Sequence, residues 1–372
     1  MQNKLSLLVV FVSMFLFVQT KLNGEIHPGK IWLDNRGIPI NAHGGGILEY
    51  KNIYYWFGEY KSDTTSAAMV GVTCYSSKDL TNWTYRGIAL PVSDKRGSDI
   101  EKGCILERPK VIFNAKTGKF VMWFHLELKG QGYQSARYGV AVSNTPAGPY
   151  HFIRSARSCP DIYPQNWESC LNDSVYQEGL KMKWWTPEWM WLIQKGLFVQ
   201  RDFRQGQMVR DQTVFVDDDG KAYHIFASED NLTLQIAQLT DDYLDHNGRY
   251  WRVDAGGQNE APEVFKRDGL YWMITSGCTG WAPNKARMFW AKKITGPWTQ
   301  VDSPFCGPMS EITFGGQGTY VLKIEKKGSP IYVFMADIWQ PKHPSDARYM
   351  WLPINFKKGI PVISWINSWE IH

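Results

Sequence analysis

The chain has 372 residues, of which 44% are hydrophobic and 21% charged, and its formal net charge is +5. These values are typical of an ordinary globular protein with one large or two average domains. Because the sequence contains no long run of Lys or Arg, its composition argues against a nucleic-acid-binding protein.

Residues 1–24 have the pattern of a secretory signal peptide. Lys4 precedes an apolar stretch at residues 5–18, and a polar segment follows it. The apolar stretch is too short for a comfortable membrane span. No Cys directly follows it, which argues against a lipoprotein anchor. The sequence therefore predicts an exported protein, periplasmic or secreted, with a mature domain at residues 25–372.

Six Cys residues in an exported chain permit disulfides. Their spacings fit no metal-site pattern. Cys159 and Cys170 lie in one irregular segment, and we expect these two to pair. The connectivity of the other four stays open.

One pattern recurs five times along the chain: an apolar strand, a polar or Gly-containing turn and an aromatic-rich strand. The copies lie at residues 46–60, 110–127, 213–230, 263–277 and 320–337. Each copy predicts a β-hairpin, and further short strand patterns follow it. Four short strands per repeat make one propeller blade. The sequence therefore predicts an all-β fold, a single five-bladed β-propeller.

Between the second and third repeats lies a Trp-rich insertion at about residues 155–208. Its segment "TPEWMWLIQKG" predicts a short helix with Thr186 as N-cap, Pro187 in the first turn and Gly196 as a stop. Two interpretations are open: the insertion closes a pocket or stacks on the sugar that extends beyond it, or it is a flap that packs its five Trp against the side of the propeller. The Trp residues in question are Trp167, Trp184, Trp185, Trp189 and Trp191. Core filling and sugar stacking are likewise both open for the 18 Trp of the whole chain.

A polar residue stands just before the innermost strand of each predicted blade. These five blade-start residues are His43, Glu107, Asp211, Glu260 and Gln317. Because the innermost strands of a propeller surround its central channel, their side chains should converge at one mouth. Two or three carboxylates in one pocket suit glycosidic bond cleavage. The structural alternative is a channel that holds water, an ion or salt-bridged acids.

Several motifs resemble family-43 glycoside hydrolases, and they are most similar to the exo-β-1,3-galactanase (galactan 1,3-β-galactosidase) subfamily. In chain order they are "PINAHGGGILEYKNIYYWFGEYK", "ILERPKVIFN", "NEAPEVFKRDGLYW", "SGCTGWAPN" and "FGGQGTYV". The resemblance spans nearly the whole mature chain and is weakest in the insertion. It implies an inverting, exo-acting enzyme that releases galactose from β-1,3-galactan, such as the backbone of arabinogalactan proteins.

The resemblance also implies residue roles. Glu260 would be the general acid, Glu107 would tune it and orient the sugar, and Gln317 would position or activate water. Blade one lacks the Asp base of the wider family, an absence that the subfamily shares, and Glu311 is the alternative base. Cys278 stands where related sequences carry Thr. The implied sugar-contacting positions are Glu59, Tyr133, Asp211, Asn231, Thr279 and Trp281, and His43 is a further candidate because of its blade-start position.

Two alternative functions remain at this point. An α-L-arabinofuranosidase or β-xylosidase would share the fold, and the missing Asp counts against it. A non-catalytic sugar-binding propeller would need no proton donor, and Glu260 with Glu107 counts against it. We expect no cofactor and assign no metal, although a structural ion in the channel stays open. The expected partner is a polysaccharide or oligosaccharide, with no membrane span, and we expect a monomer.

Overall fold

The structure is a computed structural model that describes residues 24–168, 170–326 and 328–371. The predicted signal peptide lies outside these residues except for Gly24. Strand β1 (Glu25–Ile26) is followed by blade one, with β2 (His43–Tyr50), β3 (Ile53–Glu59), β4 (Gly71–Ser77) and β5 (Thr84–Pro91). Blade two has β6 (Ile105–Asn114), β7 (Lys119–Glu127), β8 (Arg137–Ser143) and β9 (His151–Ala156). Blade three has β10 (Gln212–Val216), β11 (Ala222–Ser228), β12 (Thr233–Leu239) and β13 (His246–Val253).

The remaining strands form two further blades and a terminal strand. Blade four has β14 (Asn259–Arg267), β15 (Leu270–Gly277), β16 (Arg287–Ala291) and β17 (Thr299–Val301). Blade five has β18 (Phe305–Cys306), β19 (Gln317–Ile324), β20 (Ile331–Ile338), β21 (Arg348–Lys357) and β22 (Ile360–Ser364). Strand β23 (Trp369–Glu370) pairs with β1, so the two ends of the described chain meet.

The five sheets are arranged as a five-bladed β-propeller, which confirms the predicted fold. In blades one to four, consecutive strands pair in chain order. Blade five adds the short strand β18, which lies parallel to β22 at the outer edge. The first long strand of each blade contacts its counterparts in both neighbouring blades, so β2, β6, β10, β14 and β19 form a ring around a central channel.

The inner hairpins of blades one and four close with turns at the positions that the sequence predicts. Lys51 and Asn52 link β2 to β3 with φ angles of 53° and 61°. Asp268 and Gly269 link β14 to β15 with φ angles of 49° and 77°. Two central residues with positive φ are typical of the type I′ turn, whose twist matches that of the flanking strands.

The hydrophobic core lies between neighbouring blades, in five clusters of buried side chains, one for each pair of neighbours. Strands β4 and β11 are buried along their whole length because adjacent blades cover both faces. Between blades five and one, the Trp56 ring lies 5.2 Å from that of Trp83 and 4.9 Å from that of Trp351. Edge-to-face contacts of this kind stabilise a core beyond the area they bury. Core filling therefore accounts for these three Trp.

The insertion contains three short helices, α1 (Asp173–Gly179), α2 (Pro187–Gln194) and α3 (Leu197–Arg201). The predicted helix is confirmed as α2: the hydroxyl of Thr186 accepts a hydrogen bond from the backbone N–H of Trp189 at 3.2 Å. Gly196 follows the helix with a φ of 90°, which a residue with a Cβ rarely adopts.

The insertion packs against the outer strand of blade three. Trp189 is fully buried in a cluster with α2 and α3 residues and with Leu232 of the β11–β12 loop. The Arg252 guanidinium, on β13, donates to the backbone carbonyls of Ile193 and Gln194 at 2.8 Å each. None of the five insertion Trp lines the cavity at the channel mouth. No insertion Trp therefore reaches a sugar inside that cavity, and stacking on sugar beyond it stays a prediction. The flap interpretation agrees with the structure at Trp189, whereas Trp184, Trp185 and Trp191 are exposed rather than packed.

The predicted Cys159–Cys170 disulfide does not form, and all six Cys are free. The Cys159 side chain is buried in the cluster between blades two and three, whereas Cys170 is exposed. Nearness in an irregular segment was therefore a poor guide to pairing. In the described ranges, no helix is both long and apolar enough to cross a membrane.

Candidate active site

A shared backbone feature turns the chain at the channel mouth in blades one, two and four. The residue immediately after the blade-start residue has a left-handed conformation, with φ of 61° at Gly44, 51° at Arg108 and 48° at Ala261. The pairing of the first two strands shifts register at the same points. A bulge of this kind bends a strand and redirects a side chain. At Gly44 a Cβ would lie 2.8 Å from Glu59 Oε1, so a larger residue would also crowd the site.

Four of the five blade-start residues converge on one cavity of about 190 Å³ at the channel mouth. The cavity also receives three further residues singled out in the sequence, Glu59, Tyr133 and Trp281. The complete lining is Glu59, Lys61, Glu107, Arg108, His125, Tyr133, Arg210, Asp211, Glu260, Gly280, Trp281, Gln317 and Trp339. Asn231 does not line it, but its side chain contacts Glu260.

The structure does not bring His43 or Thr279 to the cavity, contrary to expectation. His43 is fully buried, and its ring stacks on Tyr349 with 5.3 Å between ring centroids. It thus packs inside the propeller behind the bulge at Gly44. The Thr279 hydroxyl donates to the carbonyl of Ala282 at 2.6 Å. Thr279 therefore stabilises its own loop outside the cavity.

The Glu260 carboxyl lies in surroundings that favour its protonated form. Burial raises its pKa to about 7, and the negative charge of Asp211 contributes to the increase. The Arg210 and Arg108 charges and a hydrogen bond from Asn231 act in the opposite direction. That bond runs from Asn231 Nδ2 to Glu260 Oε1 at 2.6 Å. A carboxyl with a pKa near neutrality has the property that a general acid requires.

Lys61 links two further carboxyl groups at the mouth. Its Nζ lies 2.8 Å from Glu59 Oε2 and 3.2 Å from Glu107 Oε1. Burial raises the pKa of Glu59 to about 8, because Lys61 offsets it only in part. Burial also acts to raise the pKa of Glu107, but the Lys61 and His125 charges outweigh it and hold that pKa below its ordinary value. The site therefore contains carboxyl groups with opposite protonation preferences.

Arg108 joins three blades beneath the cavity. Its Nε lies 2.8 Å from Asp211 Oδ1, across the boundary with blade three. Its other nitrogens donate to Gln317 Oε1 at 2.7 Å and to the carbonyl of Gly318 at 2.9 Å in blade five. Although burial acts to raise the pKa of Asp211, the Arg108 charge holds it below its ordinary value. Asp211 is therefore a carboxylate, and the site includes the salt-bridged acids that the structural alternative described.

The Gln317 side chain has a fixed orientation because its amide oxygen faces two groups that can only donate hydrogen bonds. Arg108 donates to Oε1 at 2.7 Å, and the Trp339 indole N–H donates to it at 3.0 Å. On the other side, Gln317 Nε2 donates to Ser276 Oγ at 2.9 Å. The two donors occupy both lone pairs of the amide oxygen. While these bonds hold, Gln317 presents an N–H donor rather than a proton acceptor.

Aromatic rings form the rim of the cavity. The rings of Trp281 and Trp339 meet edge to face with centroids 5.8 Å apart, and Trp281 is half exposed. Across the mouth, the Arg210 guanidinium lies 3.7 Å from the centre of the Tyr133 ring, whose residue is 60% exposed. Exposed ring faces beside fixed charges suit the apolar face and hydroxyl edge of a sugar.

Several cavity residues were not predicted from the sequence: Lys61, Arg108, His125, Arg210 and Trp339. Two of them, Arg108 and Arg210, directly adjoin blade-start residues in sequence. That adjacency was an available signal, because a bulge can bring both neighbours to the mouth. The alternative base Glu311 does not line the cavity; its carboxylate is exposed and lies 3.2 Å from Lys285 Nζ. Within the described part of the chain, no group of three or more His, Cys, Asp or Glu residues could hold a metal ion.

Comparisons with known proteins agree with this geometry. Residues 186–336 match the family described as Glycosyl hydrolases family 43. A search of curated proteins gave no match. Among solved structures, a family-43 β-1,3-galactosidase in complex with galactodeoxynojirimycin is 57% identical, with a TM-score of 0.89. That match covers 93% of this chain and 100% of the other.

Two more distant structures are exo-β-1,3-galactanases. The protein from Clostridium thermocellum is 34% identical, with a TM-score of 0.77, over 94% of this chain and 67% of the other. A variant of the protein from Phanerochaete chrysosporium, in complex with β-1,3-galactotriose, is 31% identical with a TM-score of 0.75. It covers 94% of this chain and 68% of the other. The propeller, the carboxyl-lined cavity and these matches together show that the chain belongs to glycoside hydrolase family 43.

Proposed function

We propose that this chain is an exo-acting hydrolase that removes terminal galactose from β-1,3-galactan, with Glu260 as its general acid. The main support is the pKa of Glu260, which burial raises to about 7, at the mouth of a small cavity. A cavity of about 190 Å³ is smaller than the roughly 300–1,000 Å³ of pockets for drug-sized ligands. It suits one terminal sugar rather than a continuous chain, and therefore exo action. The galactan specificity follows the relatives, which are β-1,3-galactosidases and exo-β-1,3-galactanases.

In this proposal Glu260 gives its proton to the glycosidic oxygen as the bond to the terminal sugar breaks. Glu107 and Asp211 stay charged and stabilise the positive charge that develops on the sugar. Gln317 orients the attacking water through its N–H, rather than serving as the base. Tyr133 and Trp281 hold the sugar ring. Since residues 1–24 have the pattern of a signal peptide, we also propose that the enzyme acts after export.

The experiment that tests this function is incubation of the protein with β-1,3-galactan, arabinan and xylan, with the products followed by proton NMR. We expect free galactose from the galactan and no sugar from the other two. Release of arabinose or xylose instead would establish one of the same-fold alternatives. Binding of galactan without any release would establish a sugar-binding propeller.

The same spectra should show inversion at the anomeric carbon. Burial favours the protonated form of Glu59, while the carboxylates of Glu107 and Asp211 form ion pairs with Lys61 and Arg108. In this proposal none of the three attacks the sugar; water attacks directly, which inverts the anomeric centre. We expect α-galactose as the first product before mutarotation. First appearance of β-galactose would require a covalent intermediate and contradict this mechanism.

Asp211→Asn should move the basic limb of the pH profile to lower pH. The Asp211 charge helps to raise the pKa of Glu260, so its removal should return that pKa toward the ordinary value of 4.5. A general acid works only while protonated, so activity should be lost at a pH about one unit lower. The measurement is the pH dependence of kcat/KM on a β-1,3-linked galactobiose. The control is Asp217→Asn, since Asp217 binds Lys266 at 2.7 Å away from the cavity and should leave the limb unchanged. An unmoved limb in Asp211→Asn would contradict the assignment.

A further inference from the structure

The loop between β11 and β12 has a strained backbone beside the general acid. Three consecutive residues, none of them Gly, have left-handed conformations, with φ of 51° at Glu229, 55° at Asp230 and 65° at Asn231. Asp and Asn tolerate this conformation singly, but Glu rarely adopts it, and three such residues in succession keep it only where the surroundings impose it. The contacts that impose it here come largely from the insertion and from the strand beneath it.

The first residue of the loop is held by Arg252. Glu229 is fully buried, and it accepts two hydrogen bonds from that guanidinium, at 2.8 Å and 2.7 Å. A third comes from Gln235 Nε2 at 3.3 Å. The same guanidinium also donates to the carbonyls of Ile193 and Gln194, the last two residues of α2. One buried cation thus fastens the loop and the end of an insertion helix together.

The second residue of the loop is held by the insertion directly. Arg201, the last residue of α3, donates from Nη1 to Asp230 Oδ2 at 2.6 Å. Its Nε and Nη2 both donate to Asp202 at 2.9 Å, and its guanidinium lies 3.8 Å from the centre of the Phe198 ring. The Arg201 side chain is therefore fixed on both sides before it reaches the loop.

The third residue of the loop is the one that contacts the general acid. Asn231 Nδ2 donates to Glu260 Oε1 at 2.6 Å, while the Asn231 amide oxygen has no partner among the described residues. The backbone carbonyl of Asn231 accepts a weak hydrogen bond from Cys278 Sγ, at 3.8 Å. The direction of the Asn231 side chain is therefore set mainly by the conformation of the residues before it.

We propose that the insertion positions the general acid: Arg201 and Arg252 hold residues 229–231 in the left-handed conformation that brings the Asn231 amide to Glu260. This role rests on the proposed function of Glu260. It makes Arg201 a positioning residue, since it acts through Asp230 and Asn231 and does not line the cavity. It also gives the insertion a task in the reaction that requires none of its Trp to touch the sugar.

The test is Arg201→Ala, assayed on a β-1,3-linked galactobiose and on a nitrophenyl β-galactoside. The galactobiose needs a proton at its leaving oxygen, whereas nitrophenolate leaves without one. Loss of the Asn231 contact should therefore lower kcat on the galactobiose by about tenfold. The aryl galactoside should lose clearly less, and KM should change little on either substrate.

The pH profile provides a second readout. The hydrogen bond from Asn231 favours the charged form of Glu260, so its loss should move the basic limb of kcat/KM to higher pH. The charged groups that act on Glu260 from the other elements, Asp211, Arg210 and Arg108, are unchanged in the variant. Arg201→Lys keeps a cation near Asp230 and should restore part of the loss.

Arg204→Ala is the matched control. Arg204 also lies in the insertion and also binds a carboxylate, Asp161, at 2.8 Å, but it is 85% exposed and has no contact with the loop. Its variant should match the wild type on both substrates. If Arg201→Ala does not fold, Asp230→Asn removes the same ion pair while keeping a residue type that tolerates a left-handed conformation.

The outcomes separate this role from the proposed function. Folded Arg201→Ala or Asp230→Asn protein with equal losses on both substrates and an unmoved basic limb would overturn the positioning role. Wild-type protein that releases galactose from neither substrate would instead overturn the proposed function. Selective loss on the galactobiose, with a shifted limb and rescue by Arg201→Lys, would support both.

Discussion

Replacing Glu260 with glutamine should lower kcat/KM on a β-1,3-linked galactobiose by about 10²–10⁴-fold, the usual contribution of general acid catalysis. Glutamine keeps the size of the side chain and an oxygen that can accept the hydrogen bond from Asn231 Nδ2. It cannot give a proton to the glycosidic oxygen. The fold and the binding of galactose should therefore be retained while turnover is lost.

The control for this variant is Glu311→Gln. Glu311 is the alternative base suggested by the sequence, but its exposed carboxylate binds Lys285 outside the cavity, so its variant should keep full activity. A nitrophenyl β-galactoside, which needs no proton on its leaving group, should recover much of the rate of Glu260→Gln. Turnover of the galactobiose by Glu260→Gln at the wild-type rate would remove Glu260 from the mechanism.

The fold could be predicted from the sequence because a blade is a local structure. Each hairpin brings together residues that are close in the chain, such as Lys51 and Asn52 in the turn between β2 and β3. Strand alternation and turn chemistry therefore carry most of the information. When one hairpin pattern repeats five times, the blades can bury both of their faces by closing into a ring.

The position of the cavity could be predicted in part, because one rule, the position just before the innermost strand, placed four of five side chains at the mouth. The rule failed at His43. There the left-handed turn at Gly44 follows as in blades two and four, yet the ring stacks on Tyr349 of blade five. The space behind a bulge depends on a neighbouring blade that is distant in sequence. No local pattern in "NAHGGG" contains that information.

The cations of the site were missed because each has at least one partner in another blade. Lys61 binds Glu107 of blade two, and Arg108 binds Asp211 of blade three. Lys and Arg near the end of a strand usually lie on the solvated surface, so their residue type gave no signal. The acids could be identified from the sequence. Their pKa values could not, because these depend on burial and on counter-charges that exist only in the assembled ring of blades.

Arg108 is the cation whose loss should affect stability most. Its guanidinium is 6% exposed and forms an ion pair with Asp211 while also donating to Gln317 and the Gly318 carbonyl. Truncation would leave the largely buried Asp211 carboxylate without its counter-charge. It would also remove one of the two donors to Gln317 Oε1 and the Arg108 donor to the Gly318 carbonyl. Breaking a buried ion pair by removing one partner typically costs about 3–5 kcal/mol. The backbone contributes little to the difference in the free energy of unfolding between the wild type and the Ala variant. Ala and Arg tolerate a φ of 51° about equally poorly.

Arg108→Ala should therefore lower the free energy of unfolding by about 3–5 kcal/mol, measured by urea denaturation, and should also abolish hydrolysis. Activity should be lost because the Gln317 oxygen and the Asp211 carboxylate lose the donor that fixes both. Arg348→Ala is the matched control: Arg348 binds Asp346 through two hydrogen bonds of 2.8 Å, but both side chains are partly exposed. An exposed pair of that kind contributes about 0–1 kcal/mol. If Arg108→Ala were no less stable than Arg348→Ala, Arg108 would not be the group that joins blades two, three and five beneath the cavity.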